Sequence, residues 1–322
     1  MLPVPESPQC LSSVDRSSTM YVLKRSSARF SNRSGRPAHD RRSTWTKGSR
    51  MRKRSTVFAL MVAAAATVAL ATPAAAIVGG ADATQTYGFM ASMQTKTGAQ
   101  QCGASLIAAQ WLVTAGHCVT DAETLGVEDP SQYQFRIGSV NRTRGGEPAV
   151  ADRFIRHEGW DSSLHNDIAL VHLTKPVHAR PIAIGAAPPT GTKIRELGWG
   201  STCLRHGCDS PVTLQQLDTT TAPAAECTLP DFNSTRQLCS DNKGGTVNAC
   251  YGDSGGPAVV AAYGRWLLVG AASHGQSDPC VARAGIFTSV PFYAGWIATH
   301  TEWRTPTALP AVTGRAAGSG HG

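Results

Sequence analysis

Three side chains of complementary chemistry stand far apart in this sequence of 322 residues: His117, Asp167 and Ser254. His117 closes the apolar run Leu112-Val113-Thr114-Ala115-Gly116 and is followed by Cys118. Asp167 lies between Asn166 and Ile168-Ala169-Leu170. Ser254 lies inside Gly252-Asp253-Ser254-Gly255-Gly256-Pro257. A serine hydroxyl is a poor nucleophile at neutral pH and needs a base within hydrogen-bond reach. An imidazole can take that proton and later return it to a leaving group. A carboxylate on the far ring nitrogen fixes the tautomer and stabilises the protonated ring. Taken singly, each has an ordinary explanation: a structural histidine, a turn-capping aspartate, a chance G-x-S-x-G. Taken jointly, with these flanks, coincidence is a poor account.

With Ile77-Val78-Gly79-Gly80, these runs resemble the signatures of the chymotrypsin/trypsin family of serine peptidases, in the style of its bacterial secreted members, over residues 77–303. The order His, Asp, Ser along the chain is the order of that family and not of the α/β-hydrolases. The resemblance implies a serine endopeptidase that hydrolyses peptide bonds through an acyl-enzyme, with Ser254 as nucleophile, His117 as general base and Asp167 orienting it. The N–H groups of Gly252 and Ser254 are expected to form the oxyanion hole, while Gly255 and Gly256 permit a tight turn and close substrate approach. After cleavage, the α-amino group of Ile77 is expected to pair with Asp253, because a buried carboxylate without a partner is costly.

Specificity departs from the common pattern. Six residues before Ser254, where trypsin-like members carry Asp, stands Asn248. Without that charge, strict Arg or Lys selection is not expected, the alternative being that Asn248 is solvated and another acid nearby, such as Asp278, restores it. Gly275 and Gly285 match small pocket-wall positions, so the substrate-binding set is Asn248, Ser273, Gly275 and Gly285, with large neutral side chains as the expected fit. Ser273 matches a serine that supports both Asp167 and the substrate backbone. His274 follows it, where the family usually has Trp, and Tyr251 is expected at the pocket rim.

The elements that must position these residues read as β structure. Hydrophobic residues make up 41% of the chain and charged residues only 16%, with 32 Gly and 19 Pro, which suits a compact, loop-rich β protein. Short apolar or alternating runs at Val113, 133–140, 168–173 and 265–272 predict strands, and 291–303, with Pro near its start, predicts the one clear helix. The resemblance implies an all-β fold of two packed antiparallel six-stranded β-barrels with a C-terminal helix, His117 and Asp167 coming from the first half and Ser254 from the second. It also implies the disulfides Cys102–Cys118, Cys227–Cys239 and Cys250–Cys280, leaving Cys203 and Cys208 as the remaining pair; arithmetic alone cannot choose among the connectivities of eight cysteines. No paired C-x-x-C and no acidic ligand cluster is present, so neither metal nor cofactor is expected.

Residues 51–76 carry a basic start (Arg52, Lys53, Arg54), an apolar run over 57–70 and small residues ending at Ala74-Ala75-Ala76, the anatomy of a cleaved secretory signal. Ala76 directly precedes Ile77, so removing the signal would itself create the activating amine, without a separate zymogen stage. Residues 1–50 are read as a mis-assigned stretch upstream of a start at Met51, or else as a disordered basic extension. Without Cys10 the cysteine count becomes even. Residues 304–322 read as a flexible tail. The net charge of +8 is concentrated at the N-terminus. Residues 1–76 hold 13 basic and 3 acidic residues, leaving 17 and 19 in 77–322, a net of −2. That excludes a nucleic-acid reading for the globular part. A secreted monomer is expected, without stable membrane association, and its implied partners are polypeptide substrates and proteinaceous protease inhibitors. The alternative is a non-catalytic homologue acting as a binding module. Such a homologue would have lost triad residues, and all three are present.

Overall fold

The computed structural model describes residues 77–201, 203–204, 209–275 and 279–301. Its strands, in chain order, begin with the two-residue β1 (Ala81–Asp82). Then come β2 (Met90–Thr95), β3 (Gln100–Ala108), β4 (Trp111–Thr114), β5 (Tyr133–Ile137), β6 (Glu147–Ala149), β7 (Ala151–Arg156) and β8 (Ala169–Leu173), which form one antiparallel sheet in the order β6-β5-β2-β3-β4-β8-β7. The second half supplies β9 (Ala183–Ile184), β10 (Lys193–Gly198), β11 (Gln215–Thr220), β12 (Gln237–Ser240), β13 (Pro257–Ala262), β14 (Arg265–His274) and β15 (Gly285–Ser289). These run in the order β1-β11-β10-β13-β14-β15-β12, with β9 added in parallel beside β14. The expectation was six strands in each half. The sheets have seven and eight, because the short β1 and β6 extend the edges and the short β9 joins beside β14.

Strand patterning explains which faces turn inward. Along β5 the side chains alternate, with Phe135 and Ile137 buried and Gln134 and Arg136 only partly so. The middle of β3 is buried on both faces, as a central strand in a curled sheet must be. One apolar core runs from Met90, Leu106, Leu112 and Ile137 of the first sheet to Val259 and Leu268 of the second, with Trp199 just after β10 and Leu214 just before β11. Each such aliphatic side chain contributes about 1.5–3 kcal/mol by leaving water.

The run at 133–140 ends as a strand at Ile137 because Gly138 turns the backbone to φ 72°. Helix α1 (Ala294–His300) is shorter than the expected 291–303: Pro291-Phe292-Tyr293 form a turn instead, and positions 302 and 303 lie outside the described residues. The signal, the N-terminal extension, the tail and Cys208 also lie outside them. Among the described residues, no helix is long and apolar enough to cross a membrane. Disulfides join Cys102 to Cys118, Cys227 to Cys239 and Cys250 to Cys280.

Candidate active site

Strand register brings the imidazole and the carboxylate together. β4 pairs with β8 so that Thr114 lies opposite Ala169. His117 follows Thr114 by three residues, on the 3₁₀ turn Gly116–Val119, and Asp167 precedes Ala169 by two. Both therefore emerge at the same sheet edge. Cys118 is tied to Cys102 on β3, which anchors the turn. Gly116 is required there, since a Cβ would sit 2.6 Å from Trp160 Cδ1.

Asp167 is buried and carries several hydrogen bonds. His117 Nδ1 lies 2.8 Å from Oδ2, and the His117 backbone N–H donates to Oδ1 at 2.8 Å. Ser273 Oγ donates to Oδ2 at 2.5 Å, and Trp160 Nε1 donates to Oδ1 at 3.3 Å. Burial opposes ionisation, but the charge of His117 and the hydrogen bonds from His117 and Ser273 prevail and hold the Asp167 carboxyl below its usual range. For His117, burial disfavours the charged ring, but the facing carboxylate and its hydrogen bond more than offset this. The ring titrates above the ordinary imidazole value.

The second sheet delivers Ser254 and its neighbours to this edge. Gly255 N–H donates to Ala272 O and Ala272 N–H to Gly256 O, which lays the serine turn along the end of β14, where Ser273 and His274 lie. Gly103 N–H on β3 donates to Ser254 O at 2.7 Å, bolting the turn to the first sheet. Gly255 (φ 74°) has no room for a side chain: a Cβ would stand 2.1 Å from Thr114 Oγ1 and 2.5 Å from Gly103 O. Thr288 Oγ1 on β15 donates to Asp167 O at 2.7 Å, a second clamp between the sheets.

Ser254 and His117 line one cavity of about 580 Å³, together with Asn248, Ser273, His274, Gly275 and Gly285. Ser254 Oγ makes no hydrogen bond to His117 in this structure; such contacts commonly tighten only once substrate is bound. The N–H groups of Gly252 and Ser254 donate to no acceptor of the described residues. At the floor, Val78 and Asn248 exchange backbone hydrogen bonds of 3.1 Å, linking the pocket to the segment that follows Ile77.

His274 Nδ1 lies 2.9 Å from Ser273 Oγ. The single hydroxyl proton of Ser273 is committed to Asp167, so His274 Nδ1 must be the donor to it. Burial and the nearby His117 keep this second imidazole below its ordinary value, against the pull of Asp167.

Ile77 is fully buried, packed with Leu217 and Val247, but its nitrogen is a peptide nitrogen here and forms no ion pair. Asp253 instead accepts from Gly200 N–H at 2.8 Å and Cys250 N–H at 2.9 Å. Burial drives its carboxyl up to about 7, with a further push from Glu196. Glu196 on β10 is a second buried acid, likewise raised by burial to about 7, and Ser240 Oγ donates to its Oε1. The sequence reasoning missed Glu196, Trp160 and Thr288. A glutamate in a strand reads as a solvent-facing residue, and the other two act through contacts across loops and sheets that spacing does not encode.

Two curled sheets, with a part-exposed histidine held by a buried aspartate and a serine set among glycines on one cavity, fit a hydrolase of the serine peptidase class. The chain belongs to the trypsin family of serine endopeptidases: the family model described as Trypsin matches residues 77–297. It is similar to a protein named Trypsin from Sarcophaga bullata, 32% identical over 69% of this chain and 87% of the relative. It is also similar to Serine protease 1 of Rattus norvegicus and of Homo sapiens, 34% and 35% identical, each over 61% of this chain and 78% of the relative.

Proposed function

We propose that the mature protein is an exported endopeptidase beginning at Ile77, with Ser254 as nucleophile, His117 as general base and Asp167 as its orienting carboxylate. In acylation, Ser254 Oγ adds to the scissile carbonyl carbon while its proton passes to His117 Nε2. The resulting oxyanion accepts from the N–H groups of Gly252 and Ser254. His117 then gives the proton to the leaving amine as the C–N bond breaks, leaving an acyl ester on Ser254. Water repeats the sequence: its proton goes to His117, its oxygen joins the acyl carbon, and the proton returns to Ser254 as the acid departs. The observation that carries this reading is the 2.8 Å Nδ1–Asp167 contact, which leaves His117 Nε2, touched at 3.8 Å by the disulfide sulfur of Cys118, as the nitrogen available to act as base in the cavity that Ser254 lines.

Export is supported by the leader ending at Ala76 and by the disulfides, which suit an oxidising compartment. The buried, unpaired Asp253 beside Gly200 is the acceptor proposed for the Ile77 ammonium. The working form is proposed to be a monomer that acts on polypeptides and is open to proteinaceous inhibitors.

Secreted wild-type protein should read Ile-Val-Gly-Gly at its N-terminus and cleave a denatured protein substrate. Ser254→Ala should have the same circular dichroism and no cleavage. A folded Ser254→Ala that retains full proteolysis would refute the assignment.

A further inference from the structure

Asn248 presents only one kind of hydrogen-bonding group to the cavity. Its Nδ2 donates to Cys280 O at 2.8 Å and to Arg283 O at 3.0 Å, using both amide hydrogens. That network fixes the amide orientation, since the flipped form would set Oδ1 against two carbonyl oxygens. Oδ1 therefore lies on the other side, over Gly285, where a Cβ would come within 2.5 Å of it. No donor of the described residues reaches Oδ1, and Asn248 and Gly285 line the same cavity as Ser254. Neither Lys nor Arg is among the described residues lining it. The floor at Asn248 is thus an uncharged acceptor without a donor of its own; the one acid among the described lining residues, Asp253, turns its carboxyl to the N–H groups of Gly200 and Cys250.

We propose that Asn248 Oδ1 sets the specificity of this pocket and selects, for the residue preceding the cut bond, neutral side chains that end in a hydrogen-bond donor: tyrosine over phenylalanine, glutamine over methionine. The inference rests on the peptidase reading above. A substrate side chain with an apolar end strips water from Oδ1 and gives it no partner, which is costly for a polar group out of water. A donor at the same place restores the lost hydrogen bond. A lysine or arginine would bring a full charge to a carbonyl dipole rather than to a carboxylate, and an uncompensated charge leaves water at greater cost.

The test is kcat/KM on two matched peptide pairs with identical flanks, Tyr against Phe and Gln against Met, together with Lys and Arg peptides. Wild type should favour the donor-bearing member of each pair by about tenfold. Asn248→Ala should bring both ratios close to one, with folding checked by fluorophosphonate labelling of Ser254. Should that variant not fold, Asn248→Asp serves instead and should transfer preference to Lys and Arg. Equal rates within both wild-type pairs, or a wild-type preference for Lys and Arg, would overturn the proposal. Failure of the peptidase reading looks different: no peptide of the set is cut and Ser254 takes no label.

Discussion

At the scale of single residues, the site depends on where one proton sits on His117. Asp167 accepts from Nδ1 and from the backbone of the same residue, while Ser273 and Trp160 use its remaining lone pairs. In the proposed mechanism this leaves Nε2 as the basic atom. Asp167→Asn keeps the shape but offers an N–H where a lone pair is needed, favouring the wrong tautomer. The expected result is a kcat loss on the order of 10⁴ with the fold unchanged, checked by steady-state kinetics and thermal melting. His117 also sets the pH dependence. Its pKa is raised above 6.5, and the protonated ring cannot act as base, so activity is lost as pH falls through that raised value. The acidic limb of kcat/KM for the free enzyme should have its midpoint above 6.5; a midpoint below it would contradict the Asp167–His117 coupling.

At the scale of elements, precision comes from register and from backbone contact between sheets. The Thr114–Ala169 pairing places the histidine turn and the aspartate at one edge, and the Gly103–Ser254 hydrogen bond fixes the serine turn against them. Gly255 is where both sheets crowd the chain. Gly255→Ala would add a Cβ overlapping Thr114 Oγ1 and Gly103 O at a positive φ, so a loss of roughly 2–6 kcal/mol is expected from strain plus overlap. Denaturant midpoints should show it, and a variant of unchanged stability would mean that this contact is not tight. Much of this frame was legible in the sequence. The apolar run before His117, the strand at 265–272 and the glycines around Ser254 mark their elements through composition and turn chemistry. Strand ends were less legible: 133–140 stops at Ile137 and the helix begins at Ala294, because local turns decide the boundaries. The clamps from Thr288 and Trp160 onto Asp167 were not legible at all, since they depend on how distant segments meet.

At the scale of the whole molecule, burial links the N-terminus to the site. Asp253 and Glu196 are both buried, influence each other, and titrate near 7 while residues still precede Ile77. Their unfolded values are 3.8 and 4.5, so across the interval up to about 7 the folded chain holds more protons than the unfolded one. Stability of the uncleaved chain should therefore fall as pH rises from about 4 to about 7. An ammonium at Ile77 would favour ionised Asp253 and remove its share of that loss. Urea midpoints of Ser254→Ala protein, with and without the residues before Ile77, should diverge over this range; parallel curves would show that Asp253 is not the partner of the amine. The central claim, however, concerns Ser254 itself. Acid-quenching the mature protein during turnover of an activated ester, followed by peptide mapping by mass spectrometry, reads it directly. The account predicts one acyl group per chain on Ser254, lost in His117→Ala. Acylation at another residue, or undiminished acylation of Ser254 in His117→Ala, would contradict it.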